Sequence, residues 1–162
     1  LAGVRSDEEY YMIDAAAKLY CNPEVTFSSK NHTINGKNIL EVDVPRSGKI
    51  PVKAKDETGR WKAYLRQNDQ NFMADRVILQ VWRRSGNSRG LLLRFEEKEN
   101  LLLNYLRGGE KITIQGFRTL AHINSKTAEK ILSDFILCGI LKFEAGEKGI
   151  FYYLSEEFGA SQ

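Results

Sequence analysis

Between residues 122 and 141 the sequence reads HINSKTAEKILSDFILCGIL, and its polar members are suited to contact with nucleic acid. Lys126 and Lys130 carry ammonium groups that can pair with a guanine edge or a phosphate. The hydroxyls of Ser125, Thr127 and Ser133 can bond either kind of partner. Glu129 and Asp134 fall on the same predicted exposed surface, where they would face phosphates unfavourably. A second cation source is Lys148 in the turn EAGEK, beside Glu144 and Glu147. A third set alternates along WKAYLRQ (61–67). Lys62, Tyr64 and Arg66 share one strand face there, with cations around a ring that could stack on a base. The plainer reading of that face is a solvated strand with a tyrosine lying across it. Lys49, Lys53 and Lys55 would extend the patch if neighbouring strands pair.

Other chemistries find little support. There is no phosphate-binding glycine loop ending in Lys-Ser/Thr, no metal-ligand spacing and no nucleophile–base pair. No enzyme and no cofactor are therefore expected. His32 and His122 are solitary and read as neither ligand nor base. Cys21 and Cys138, each at the apolar end of a predicted helix, read as buried free thiols. The net charge of +3 sits in the front of the chain. Residues 1–84 hold fourteen Lys/Arg against eleven Asp/Glu, whereas residues 85–162 hold ten of each. A nucleic-acid module usually leaves a stronger footprint than the neutral back half does. No apolar run approaches the ~20 residues of a membrane span, so a cytoplasmic protein with no membrane partner is expected.

The elements that must carry these residues are α+β in pattern. Ser6 and Glu9 have capping-box spacing, and Ile13, Ala16, Ala17 and Tyr20 form a helical stripe ended by Asn22-Pro23. Asn35-Gly36 marks a hairpin. Extended segments are expected over 50–55 and 61–67, then a helix over about 71–83 with Ala74, Val77, Ile78 and Val81 inside. The polar, glycine-punctuated stretch RRSGNSRG suggests a division: a front domain over 1–84, a linker over 85–92 and a back domain over 93–158. In the back domain a first helix buries Leu102, Tyr105 and Leu106 and ends at Gly108-Gly109. Thr113 caps a second helix over 114–121, burying Phe117, Leu120 and Ala121. Asn124 or Ser125 caps a third, whose stripe is Ala128, Ile131, Leu132 and Phe135. Gly139 ends it, and a hairpin turns at 146–149.

In the front domain, LAGV, NPEVTF, ILEVDVPRSGKIPV and AYLRQND resemble the second half of the Schlafen-type AlbA-like domain, through Val44-Pro45, Ser47, Pro51 and Tyr64-Leu65-Arg66. The resemblance covers residues 1 to about 80 and implies a partial AlbA-like mixed sheet with flanking helices. The first half of such a domain has no counterpart here, so the chain is expected to be a truncated form. In nuclease members of the wider group the catalytic carboxylates lie largely in that half, which leaves metal-dependent cleavage without support.

The stretch ITIQGFRTLAHINSKTAEKILSDFILCGIL resembles the winged helix-turn-helix of bacterial regulators. Thr113 matches the first cap, Phe117 the core leucine, Ile123-Asn124 the turn, and Gly139-Ile140-Leu141 the approach to the wing. His122 stands where glycine is usual, a position that often needs a positive φ. Together the two resemblances imply a DNA-binding transcriptional regulator that reads duplex DNA through the third helix. Self-association, most simply a homodimer, would present paired helices to a two-fold site. The alternative is a protein-interaction or oligomerisation module without base reading.

Overall fold

A computed structural model describes residues 8–86 and 93–159. The chain is α+β and divides into two compact units, 1–63 and 64–162. Among the described residues no helix is long and apolar enough to cross a membrane.

The front unit begins with α1 (Glu8–Leu19). Strands β1 (Cys21–Asn22), β4 (Lys53–Lys55) and β5 (Trp61–Lys62) form a three-stranded sheet in the order β1-β4-β5. Between them, β2 (Ser28–Ile34) and β3 (Lys37–Asp43) make a separate hairpin. Its two-residue turn is the expected one: Asn35 and Gly36 have φ of 52° and 71°, the left-handed pair that matches strand twist. Every strand pairing among the described residues is antiparallel, so they do not form the mixed sheet expected for this segment. The strand expected over 50–55 shortens to 53–55, and Pro51 itself can donate no ladder hydrogen bond.

The back unit opens with a second hairpin, β6 (Tyr64–Gln67) and β7 (Gln70–Met73). One continuous strand over 61–67 and a helix from 71 were expected. Instead the extended chain divides at the buried Ala63. Asn68 and Asp69, with φ of 46° and 66°, then fold it back on itself, since both side chains tolerate the left-handed region. Helix α2 (Arg76–Arg84) starts only after Asp75, whose carboxylate accepts the Ile78 N–H at 3.0 Å. Val77 and Ile78 are fully buried.

Helices α3 (Glu97–Leu106), α4 (Ile114–Ala121) and α5 (Ser125–Leu137) follow, then the hairpin of β8 (Leu141–Gly146) and β9 (Gly149–Leu154) and a last turn, α6 (Glu156–Gly159). The caps are those the sequence proposes. Thr113 Oγ1 accepts the Gly116 N–H at 3.1 Å, and Asn124 Oδ1 accepts the Thr127 N–H at 2.9 Å; each cap contributes about 1 kcal/mol. His122 takes φ 50° and ψ 44°. Gly139, at φ 74°, ends α5 in a paired closure: Ile140 N–H reaches the Phe135 carbonyl and Gly139 N–H the Ile136 carbonyl. Ile112, between α3 and α4, bridges to Tyr152 through two backbone hydrogen bonds of 2.8 and 2.9 Å, adding a third edge to the hairpin.

The core of this unit joins Leu102, Leu103, Leu106, Phe117, Ala128, Leu132, Phe135 and Tyr152. Leu103 takes the place expected of Tyr105, which is 39% exposed, so α3 is turned slightly from the predicted stripe.

Residues 64–84, expected with the front domain, lie in the back unit. Gln67 accepts the Ala145 N–H, Tyr152 Oη donates to Asp75 at 2.5 Å, and α2 packs along α5. Of the expected linker 85–92, residues 87–92 lie outside the described residues.

Candidate nucleic-acid interface

Helix α5 has one face in the core and meets α2 along another. Three successive contacts define that seam. Arg76 lies 3.6 Å from Glu129, Gln80 bonds both Glu129 and Ser133 at 3.2 Å, and Arg84 reaches Ser133 at 3.1 Å and Asp134 at 2.6 Å. The steps of four residues on each helix mean that the two run side by side in the same direction. The Arg84–Asp134 contact is a charge contact rather than an aligned hydrogen bond.

This arrangement corrects the expected surface of α5. Ser133 is completely buried, and Glu129 and Asp134 are each only 6% exposed. Ser133 is therefore closed to DNA in this structure, and neither carboxylate faces outwards as expected. The physical reason is a partner with matching polar groups: a polar residue on a helix need not be solvated when a neighbouring helix supplies the donors. Lys126 and Lys130 remain exposed, and Ser125 and Thr127 are half-buried. Thr127 Oγ1 donates to Asn124 Oδ1 at 3.2 Å, so its hydroxyl already serves the cap. Lys130 Nζ lies 2.7 Å from Asp134, yet its side chain is 73% exposed.

On the opposite flank of α5 is a cleft of about 280 Å³, where Arg94, Glu96 and Glu99 approach Lys130 and Asp134. Lys148 is exposed in the turn of the β8–β9 hairpin. Glu144 of that hairpin is matched by Lys111 at 2.7 Å.

The third predicted set is divided between the two units. Lys62 ends β5 in the front unit, whereas Tyr64 and Arg66 lie on β6 in the back unit. Lys53 and Lys55 do sit on β4, the strand paired with β5. Lys62 is held 2.7 Å from Asp56. The hydrogen bond from Lys62, then those from Thr58 and the Arg60 N–H, hold the Asp56 carboxyl well below the usual carboxylate range. Arg66 is bound to Asp69 at 2.7 Å and Asn71 at 3.2 Å, and Tyr64 is 43% exposed.

His32 is not solitary: its Nε2 lies 2.6 Å from Glu41 across the β2–β3 hairpin. Cys138 is exposed and Cys21 half-buried, against the expectation of two buried thiols. Among the described residues no group of three or more His, Cys, Asp or Glu is placed to hold a metal. No family model, curated protein or solved structure matches the chain.

Proposed function

We propose that the back unit is a winged helix-turn-helix that binds duplex DNA, with the N-terminal turns of α5 as the reading element and the β8–β9 turn as the wing. The observation that carries this reading is the outward charge of α5: Lys126 and Lys130 are exposed while Glu129 and Asp134 are buried against α2. The order of three helices, the second and third capped by Thr113 and Asn124, and a hairpin bridged by Ile112 supports it further. On this reading Lys126, Ser125 and Thr127 approach base edges. Lys130 and Lys148 approach phosphates. Transcriptional regulation, and an AlbA-like front unit adding contacts of its own, belong to the same proposal.

Titrating a labelled duplex with the chain at several salt concentrations tests it. Binding is expected to weaken steeply with salt, and Lys126→Ala or Lys130→Ala to reduce the affinity. Absence of binding at low salt would sink the reading.

A second reading, association with another protein or another copy, is favoured by a different observation. In the front unit Tyr11, Met12 and Leu19 of α1 are 68%, 71% and 68% exposed. Sedimentation of the parent beside a Met12→Ser, Leu19→Ser variant separates the two: a shift to smaller species in the variant would support association.

A further inference from the structure

We propose that α2 is part of the same DNA surface, with Arg76 and Arg83 holding the phosphates along one rim of the groove that α5 enters. The inference rests on the DNA-binding reading of α5 and adds to it the side from which the duplex is held.

Arg76 and Arg83 are seven residues apart, two turns of helix, and so share a side of α2. Arg83 is exposed, and the Arg76 side chain is 78% exposed despite its approach to Glu129. Val77 and Ile78 anchor α2 in the core, and the Asp75–Tyr152 hydrogen bond fixes its first turn. The helix is therefore a firm neighbour of α5 rather than a loose cover. Axes of packed helices lie about 8–10 Å apart, and the major groove is about 12 Å wide. A helix beside one seated in the groove thus lies over the rim, where the phosphates are.

Charge selects the same flank. On the α2 side Glu129 and Asp134 of α5 are turned inwards, and Arg76 and Arg84 offset them. On the other side Glu96 and Glu97 are exposed and Glu99 lines the cleft, and there Lys130 is paired with Asp134, so that Arg94 and Lys98 are insufficient to reverse the sign. A duplex leaning towards α3 would bring phosphates to carboxylates; one leaning towards α2 meets two arginines. Such contacts position the duplex and carry no sequence information.

The test uses the whole chain and two duplexes, one selected for tight binding and one of random sequence, over a salt series. Arg83→Ala and Arg76→Ala are each expected to weaken both duplexes by about threefold to tenfold and to lower the salt slope by about one. Lys98→Ala, on α3, is expected to change neither. Circular dichroism of each variant checks that the fold persists. If Lys126→Ala weakens binding while both arginine variants match the parent, α2 lies off the surface and the inference fails alone. If the parent binds neither duplex, the reading of α5 falls with it.

Discussion

The two units are held together in different ways. Among the described residues the front unit buries only Ala17 and Ala63 as hydrophobic side chains, and exposes Tyr11, Met12, Leu19, Tyr20, Ile34 and Val44. The back unit buries a continuous set of large side chains from α2 through β9. Front-unit structure is specified by turns and strand pairs; back-unit structure is specified by packing. Local signals can therefore shape a backbone without supplying the apolar burial that dominates stability.

Core truncation should break this contrast most sharply. Phe117→Ala is expected to cost the back unit about 3–5 kcal/mol in chemical denaturation, while Met12→Ser in α1 should stay within about 0.5 kcal/mol. Comparable losses from the two substitutions would show that the front unit has a core of its own.

Next in size is Tyr152→Phe. Burial, and then the Asp75 charge, push the Tyr152 phenol well above its ordinary 10.0. The folded state thus keeps a proton that the unfolded chain loses above pH 10. The stabilisation is complete below that pH and is lost as pH rises past it, by about 1.4 kcal/mol per pH unit. Removing the hydroxyl should cost about 2 kcal/mol at neutral pH and flatten the alkaline limb of a stability–pH curve. An unchanged alkaline limb would assign that loss to other groups.

Arg84→Ala should follow at about 1–2 kcal/mol, because it deprives Ser133 and Asp134 of a partner; the 37% exposure of Arg84 lets water replace part of that contact. The smallest effect belongs to the front unit. In Lys62→Ala, nuclear magnetic resonance titration should find the Asp56 carboxyl closer to its ordinary 3.8 but still below it, since Thr58 and Arg60 remain. A depressed carboxyl stabilises above its ordinary value and loses that contribution on acidification, so the variant should give up less on going to low pH.

Much of the back unit was legible because its instructions are short. Thr113, Asn124 and Gly139 each act on backbone groups within a few residues, so helix limits can be read locally. Asn35-Gly36 did the same for the first hairpin. At 61–67 the alternation ran unbroken through Ala63 and hid a division between two sheets. Asn68-Asp69 was the available signal, entering only as part of the AlbA-like stretch AYLRQND and not as a turn. The candidate site was half legible. Lys126 and Lys130 were placed correctly as exposed, but Glu129, Ser133 and Asp134 were assigned to solvent because they are polar. Their partners, Gln80 and Arg84, lie 49 to 53 residues away in sequence, and no periodicity within α5 reports them.

The pairing of α2 with α5 also bears on how this protein can be cut and recombined. The glycine-punctuated stretch after Arg84 looks like a natural place to excise a back module. A piece beginning there would leave Glu129, Ser133 and Asp134 without the side chains that enclose them, and Tyr152 without its acceptor. The inheritable module starts instead near Tyr64, so a fusion or deletion that respects that point keeps the helix pair, whereas one guided by loop composition splits it.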